Sequence, residues 1–116
     1  MQILVHHDNH IHGSERLIQQ VEDTVHDALA RYEDQITRVE VHVQDVNAQK
    51  GGDRDKRCTM EARFSGHQPI AVHCEASDLD VVVTGAAAKL EHAIRHLVDK
   101  LANRKGLTPA GGEPSL

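Results

Sequence analysis

The chain has 116 residues, which fits one domain with a single modest core. Its hydrophobic share of 39% and charged share of 27% are ordinary for a globular protein, and no apolar run approaches the roughly 20 residues that cross a bilayer. The net charge of −5, with one Phe, one Tyr and no Trp, argues against nucleic-acid binding by general basicity or by stacking of bases on aromatic rings.

Cysteine usage and the start of the chain indicate a cytoplasmic protein. The two cysteines, Cys58 and Cys74, are too few for a disulfide framework. Met1 leads directly into a strand-like run, without the pattern of a signal peptide. Both cysteines fall at inward positions of predicted strands, so we expect small buried hydrophobic side chains, with a reactive thiol pair as the alternative.

The predicted fold starts with a strand and a helix. Residues 2–6, QILVH, form a short apolar run suited to a strand. Ser14 is a good N-cap, and Glu15 places a negative charge in the first turn of a helix that ends at Glu33 and Asp34. Steps of three and four residues give this helix one apolar stripe, made by Leu17, Ile18, Val21, Val25, Ala28, Leu29 and Tyr32.

Three further strands are predicted from alternation of apolar and polar residues. They cover residues 36–46, 56–64 and 70–76. A glycine-containing polar loop at 47–55 and a turn at 65–69 separate them. Because each strand has one apolar face and the connections are short, we expect an antiparallel meander.

A second, longer helix begins after the capping pair Ser77 and Asp78 and stops at Gly106. Its predicted core stripe consists of Leu79, Val83, Ala86, Leu90, Ile94, Leu97 and Leu101. The domain therefore covers residues 1–106. Residues 107–116 are rich in Pro and Gly and are expected to form a flexible tail.

The resulting element order is β-α-β-β-β-α. Each later strand has one apolar face and each helix has one apolar stripe, and all of these must be buried together. We therefore predict an α+β fold, with a mainly antiparallel four-stranded sheet and both helices on one of its faces. The opposite face of the sheet is then polar and open.

Charge is distributed unevenly along the chain. Residues 13–34 carry six acids against two bases, whereas 89–105 carry five bases against two acids and 50–63 carry five bases against three acids. At about 100° per residue, four donors on the second helix fall within about 80° of one another: Lys89, His92, His96 and Lys100. Such a row could follow phosphate groups; the alternative is an ordinary solvated helix face.

The stretch HHDNHIH at 6–12 holds four histidines and raises the question of a metal site. A site needs ligands that converge on one ion at about 2 Å. His6 and His7 are neighbours in a predicted strand, so their side chains point to opposite faces. No Cys or paired carboxylate lies near the other two histidines, and a solvated strand end and turn is therefore the preferred interpretation.

Catalytic motifs are also missing. His92 and His96 have the i,i+4 spacing of a helical zinc site, but the Glu of an H-E-x-x-H motif is absent. The sequence contains no G-x-S-x-G, P-loop or dinucleotide fingerprint. We therefore predict no metal, no other cofactor, no small-molecule substrate and no enzymatic activity.

Five segments follow one another over residues 1–105: MQILV, SERLIQQVEDTVHDAL, ITRVEVHV, KRCTMEARFSG and EASDLDVVVTGAAAKLEHAI. In this order and spacing they resemble the ribosome hibernation-promoting factor family, also called ribosome-associated inhibitor or sigma-factor modulation proteins, in a short single-domain form. The resemblance implies a β-α-β-β-β-α fold similar to double-stranded-RNA-binding domains. It also implies that the histidine-rich stretch is a solvated connector without a metal, anchored to the core by Ile11.

The resemblance further implies a partner, the small ribosomal subunit and its rRNA, bound near the decoding centre. Lys89 matches the lysine of the family's K-L-x-R motif in the second helix, and Lys56 and Arg57 match the basic start of the third strand. The predicted rRNA-binding residues are Lys56, Arg57, Arg63, Lys89, His92, Arg95, His96, Lys100, Arg104 and Lys105. Membrane binding is not implied, and we expect a monomer rather than an obligate oligomer.

The sequence thus predicts a ribosome-associated factor that inhibits translation by steric occlusion and preserves idle ribosomes under stress. The alternative is a regulatory protein-interaction module of the same fold that has lost strong ribosome binding, which the net charge of −5 motivates. Metal binding through the histidines is a third possibility. Since an unperturbed imidazole titrates near pH 6.5, we also expect acidification to strengthen phosphate binding, with His42 and His73 on the open face contributing.

Overall fold

The computed structural model describes residues 1–8, 11, 14–46 and 55–104. A 3₁₀ turn, Ala30–Tyr32, follows the first helix. The helices and strands are β1 (Gln2–His7), α1 (Ser14–Leu29), β2 (Ile36–Asp45), β3 (Lys56–Phe64), β4 (Ile70–Ala76) and α2 (Leu79–Arg104). The predicted element order is confirmed. The end of α2 at Gly106 and the tail at 107–116, both predicted from the sequence, lie outside the described residues.

The four strands form one sheet in the order β1-β2-β3-β4. β2, β3 and β4 are antiparallel neighbours, as the meander predicts. β1 pairs with β2 in parallel, because α1 carries the chain back to the starting end of the sheet before β2 begins. The sheet is therefore mixed, with two antiparallel pairs and one parallel pair.

Alternation along the strands decides which face of the sheet is covered. Val39, Val41 and Val43 of β2 are fully buried, as are Cys58 and Met60 of β3. The corresponding residues of β4 are only half-buried because β4 lies at an edge of the sheet. Both helices pack on the face that carries these apolar side chains, and none of the described polar or charged residues is buried there.

The first helix and the strands around it differ from the predicted bounds by small amounts. β1 extends one residue beyond the predicted end, to His7, and β2 ends one residue earlier, at Asp45. The α-helical part of α1 ends at Leu29, and the 3₁₀ turn that follows places Tyr32 in the core. Ile11 is 6% exposed, which confirms its predicted role as the anchor of the connector.

The start of α2 is fixed by Asp78. Its Oδ1 accepts hydrogen bonds from the backbone N–H groups of Asp80, at 2.7 Å, and Val81, at 3.3 Å. The buried stripe is broader than predicted, because Val82 and Ala87 are also buried. Three residues of the predicted stripe are only half-buried: Leu79, Leu97 and Leu101.

Candidate nucleic-acid interface

Four of the predicted binding residues form a strip along the exposed side of α2, here called the α2 strip: Lys89, His92, His96 and Lys100. All four are exposed. With a rise of about 1.5 Å per residue, successive members lie about 4.5 to 6 Å apart along the helix axis. Their charged and polar groups therefore form a linear series of donors, which is the arrangement needed to follow a phosphate backbone.

The α2 strip is joined to the edge of the sheet at one end. The Nζ of Lys89 donates a hydrogen bond to the backbone carbonyl of His73 on β4, at 2.9 Å. This contact covers part of an edge strand, whose outward carbonyl would otherwise face water. The candidate interface consequently combines one helix flank with the β4 edge.

The other members of the strip differ in how free they are to bind a partner. His92 Nδ1 lies 3.0 Å from the guanidinium of Arg95, which donates, and Arg95 also lies 4.0 Å from Glu91. His96 and Lys100 make no hydrogen bond or ion pair within the described part of the chain. These two side chains are the most available donors of the α2 strip.

Lys56, also predicted to bind RNA, is engaged by two carboxylates at the end of the sheet. Its Nζ lies 2.9 Å from Asp55 and 3.5 Å from Asp45, and its side chain is 20% exposed. The hydrogen bond to Asp55 raises the pKa of Lys56, with smaller effects that include the charge of Asp45. The lysine is therefore charged but already neutralised by its neighbours.

The face of the sheet that the helices leave uncovered, here called the open face, carries three Arg–Glu pairs among the described residues. Arg63 lies 3.1 Å from Glu61 and Arg38 lies 3.1 Å from Glu40. The third pair joins the guanidinium Nε of Arg57 to Glu75, at 2.8 Å. Each cation has an anionic partner, so the predicted RNA contacts Arg57 and Arg63 are available only if those pairs open.

Histidines occupy the remaining titratable positions of the open face. Strand register places one row of side chains across all four strands: His6, His42, Thr59 and His73. The rings of His6 and His42 stack with centroids 4.6 Å apart and planes inclined by 19°. The open face therefore combines three Arg–Glu pairs with a row of exposed imidazole rings.

The structure thus places the members of the α2 strip along one side of α2, whereas Lys56 lies at the start of β3 in contact with Asp45 and Asp55. The side chain of Arg104, at the end of α2, and all of Lys105 lie outside the described part. Sequence reasoning missed the grouping of His6 with Glu40 and His42, since this grouping depends on the parallel pairing of β1 with β2.

No described helix is long and apolar enough to cross a membrane.

Comparison with known proteins identifies the family. A sequence model of the family described as Sigma 54 modulation protein / S30EA ribosomal protein matches residues 4–102. The chain belongs to this family. The region matched by the family includes the whole α2 strip and most of the sheet. No curated protein is significantly similar to the chain in sequence.

Solved structures agree with membership of the S30EA family at the level of the fold. The N-terminal domain of Thermus thermophilus Protein Y matches with a TM-score of 0.67 and 18% identity, covering 84% of this chain and 99% of that domain. A ribosomal subunit interface protein from Coxiella burnetii matches with a TM-score of 0.67 and 20% identity, covering 85% and 99% of the two chains. The predicted α+β fold is therefore confirmed by independent members of its structural class.

Proposed function

We propose that this protein is a ribosome-associated factor that binds rRNA of the small subunit through the α2 strip. Membership of the S30EA family and likeness to a ribosomal subunit interface protein support association with ribosomes. The observation that carries the site assignment is the pair His96 and Lys100, exposed and without partners in the described part of the chain.

The proposed mechanism is steric occlusion held by phosphate contacts. Lys ammonium groups donate charge-assisted hydrogen bonds to phosphate oxygens, which are stronger than neutral ones. A domain seated near the decoding centre would fill space that tRNA and messenger RNA otherwise use, and translation would stop without any chemical reaction. This mode of action requires shape and charge and needs neither a nucleophile nor a cofactor.

The predicted residues are expected to contribute unequally. Within the described part of the chain, His96 and Lys100 have no hydrogen bond or ion pair to break on binding, whereas Lys89 must share its ammonium with the His73 carbonyl. Arg57 and Lys56 first have to leave carboxylate partners. We therefore propose α2 as the centre of the interface, with the sheet residues at its margin.

Cosedimentation with purified small ribosomal subunits tests this assignment. The double substitution Lys89→Glu and Lys100→Glu is expected to abolish association, because it reverses two charges of the α2 strip. The matched control, Arg16→Glu with Arg31→Glu, makes the same change in net charge on the side of the first helix. Equal cosedimentation of the α2 variant and the wild type would refute the site.

A second candidate function is a regulatory module that binds a protein partner. The acidic segment 13–34, with six acids and two bases, favours it. A salt titration distinguishes the two functions, because phosphate contacts weaken steeply as salt rises while an apolar protein contact does not. Failure to bind ribosomes even at low salt would favour the second candidate.

A further inference from the structure

Three potential metal ligands converge on the open face of the sheet, on the two strands β1 and β2. His6 stands opposite His42 in the parallel register, and Glu40 precedes His42 by two residues and so lies on the same face. Backbone pairing holds all three positions, so their spacing does not depend on a loop. The site therefore has a rigid base with side chains that are free to adjust.

The distances are compatible with a single ion after small side-chain movements. One candidate ligand atom from each residue lies within 4.8 Å of the other two, and His42 Nε2 is 3.9 Å from Glu40 Oε1. Atoms with this spacing share a point within about 2.8 Å of all three, against zinc–ligand distances of about 2.0 to 2.2 Å. Rotation of two exposed imidazole rings closes that gap.

The carboxylate of Glu40 is already oriented to act as a metal ligand. Arg38 holds Glu40 through Oε2, at 3.1 Å, which leaves Oε1 directed toward His42. Partners that fix a ligand in this way are a regular feature of metal sites.

We propose that His6, Glu40 and His42 form a binding site for a divalent cation of the zinc type. Two imidazole nitrogens and one carboxylate oxygen suit Zn²⁺, and they are poor ligands for the hard ions Mg²⁺ and Ca²⁺, which prefer oxygen alone. The protein supplies three ligands and the exposed face leaves the remaining position to water. This site is separate from the α2 strip, and ribosome binding does not require it.

Calorimetric titration of the metal-free full chain with Zn²⁺ tests the proposal. One equivalent is expected to bind, and His42→Gln and His6→Gln are each expected to weaken binding at least tenfold. Removing a residue that only hydrogen-bonds a metal ligand typically lowers metal affinity about 10- to 100-fold, so removing a ligand itself should lower it at least as much. Ring ¹⁵N chemical shifts of His6 and His42 give a direct second readout of coordination.

Two controls separate this site from other histidines. His73→Gln removes an exposed imidazole from the same face, and the double variant His10→Gln with His12→Gln removes those of the connector. Both controls should bind Zn²⁺ like the wild type. The proposal is overturned if the wild type binds no Zn²⁺, if His42→Gln binds normally, or if only the connector variant loses binding.

Discussion

Gly85 of α2 touches Cys74 of β4 so closely that a Cβ at Gly85 would lie 2.7 Å from the cysteine sulfur. Gly85→Ala is therefore expected to lower the free energy of unfolding. Overpacking of this kind typically costs about 1 to 3 kcal/mol against a gain of about 1 kcal/mol in helix propensity, so we expect a net loss of up to about 2 kcal/mol. Chemical denaturation followed by circular dichroism measures the difference.

The contact between Gly85 and Cys74 can also be tested in a protein that carries Cys74→Ala. In a Cys74→Ala protein the sulfur is gone, so Gly85→Ala should no longer clash and should stabilise the chain by about 0.5 to 1 kcal/mol. A double-mutant cycle compares the two backgrounds. An equal effect of Gly85→Ala in both would show that the sulfur is not the limiting contact.

Stability is expected to fall at alkaline pH because of Cys58. Burial raises the pKa of this thiol to about 12, and the nearby Cys74 adds to the rise. The unfolded chain releases the proton from about pH 8.5, so the native state binds more protons between the two values. The free energy of unfolding is therefore unaffected below about pH 8.5 and decreases as the pH rises toward 12.

Denaturant unfolding at pH 8, 9 and 10 follows this effect, with Cys58→Ala as the comparison. The variant is less stable overall because it leaves a small cavity. Its loss of stability with increasing pH should nevertheless be shallower than that of the wild type. Parallel pH profiles for the two proteins would contradict the assignment to Cys58.

The N-terminus of α2 depends on Asp78, which accepts two backbone hydrogen bonds through one oxygen. Asp78→Ala removes this cap and is expected to cost about 0.5 to 2 kcal/mol of stability. Asp78→Asn retains an acceptor oxygen and should recover most of the loss. If the Asn and Ala variants are equally destabilised, hydrogen bonding is not the reason for the effect.

The salt dependence of ribosome binding should report the phosphate contacts that we propose for the α2 strip. Removing one phosphate contact reduces the slope of log affinity against log salt by about 0.7 to 0.9. Lys100→Gln is expected to produce such a reduction, whereas Arg16→Gln on the first helix should leave the slope unchanged. A filter-binding series at four salt concentrations measures both slopes, and identical slopes would exclude Lys100 from the interface.

Strand positions could be read from the sequence because their alternation is regular. β3 and β4 begin and end where alternation predicts. The buried stripe of α2 was harder to predict, because its first half is covered by α1 as well as by the sheet. Gln20 of α1 hydrogen-bonds Asp80 in the first turn of α2. Because α1 packs against this half of α2, Val82 and Ala87 are buried in addition to the predicted residues.

The candidate sites depend on information that a single strand does not carry. Alternation correctly placed His6 and His7 on opposite faces, but it could not reveal that β1 lies parallel to β2 with His6 beside His42. Ion pairing is equally non-local, since Arg57 on β3 is neutralised by Glu75 on β4. The α2 strip was predictable because its members belong to one helix.

The parallel pairing of β1 with β2 also affects how the chain assembles. The helix α1 separates β1 from its partner β2, whereas no helix lies between β2, β3 and β4 in the described part of the chain, so β1 reaches β2 only after α1 has folded back. Such long-range closure is slow, because its entropic cost precedes its contacts. A Zn²⁺ ion held between His6 and β2 would bind only after this closure, and at a hundredfold excess over Kd it would stabilise the assembled sheet by about 2.7 kcal/mol.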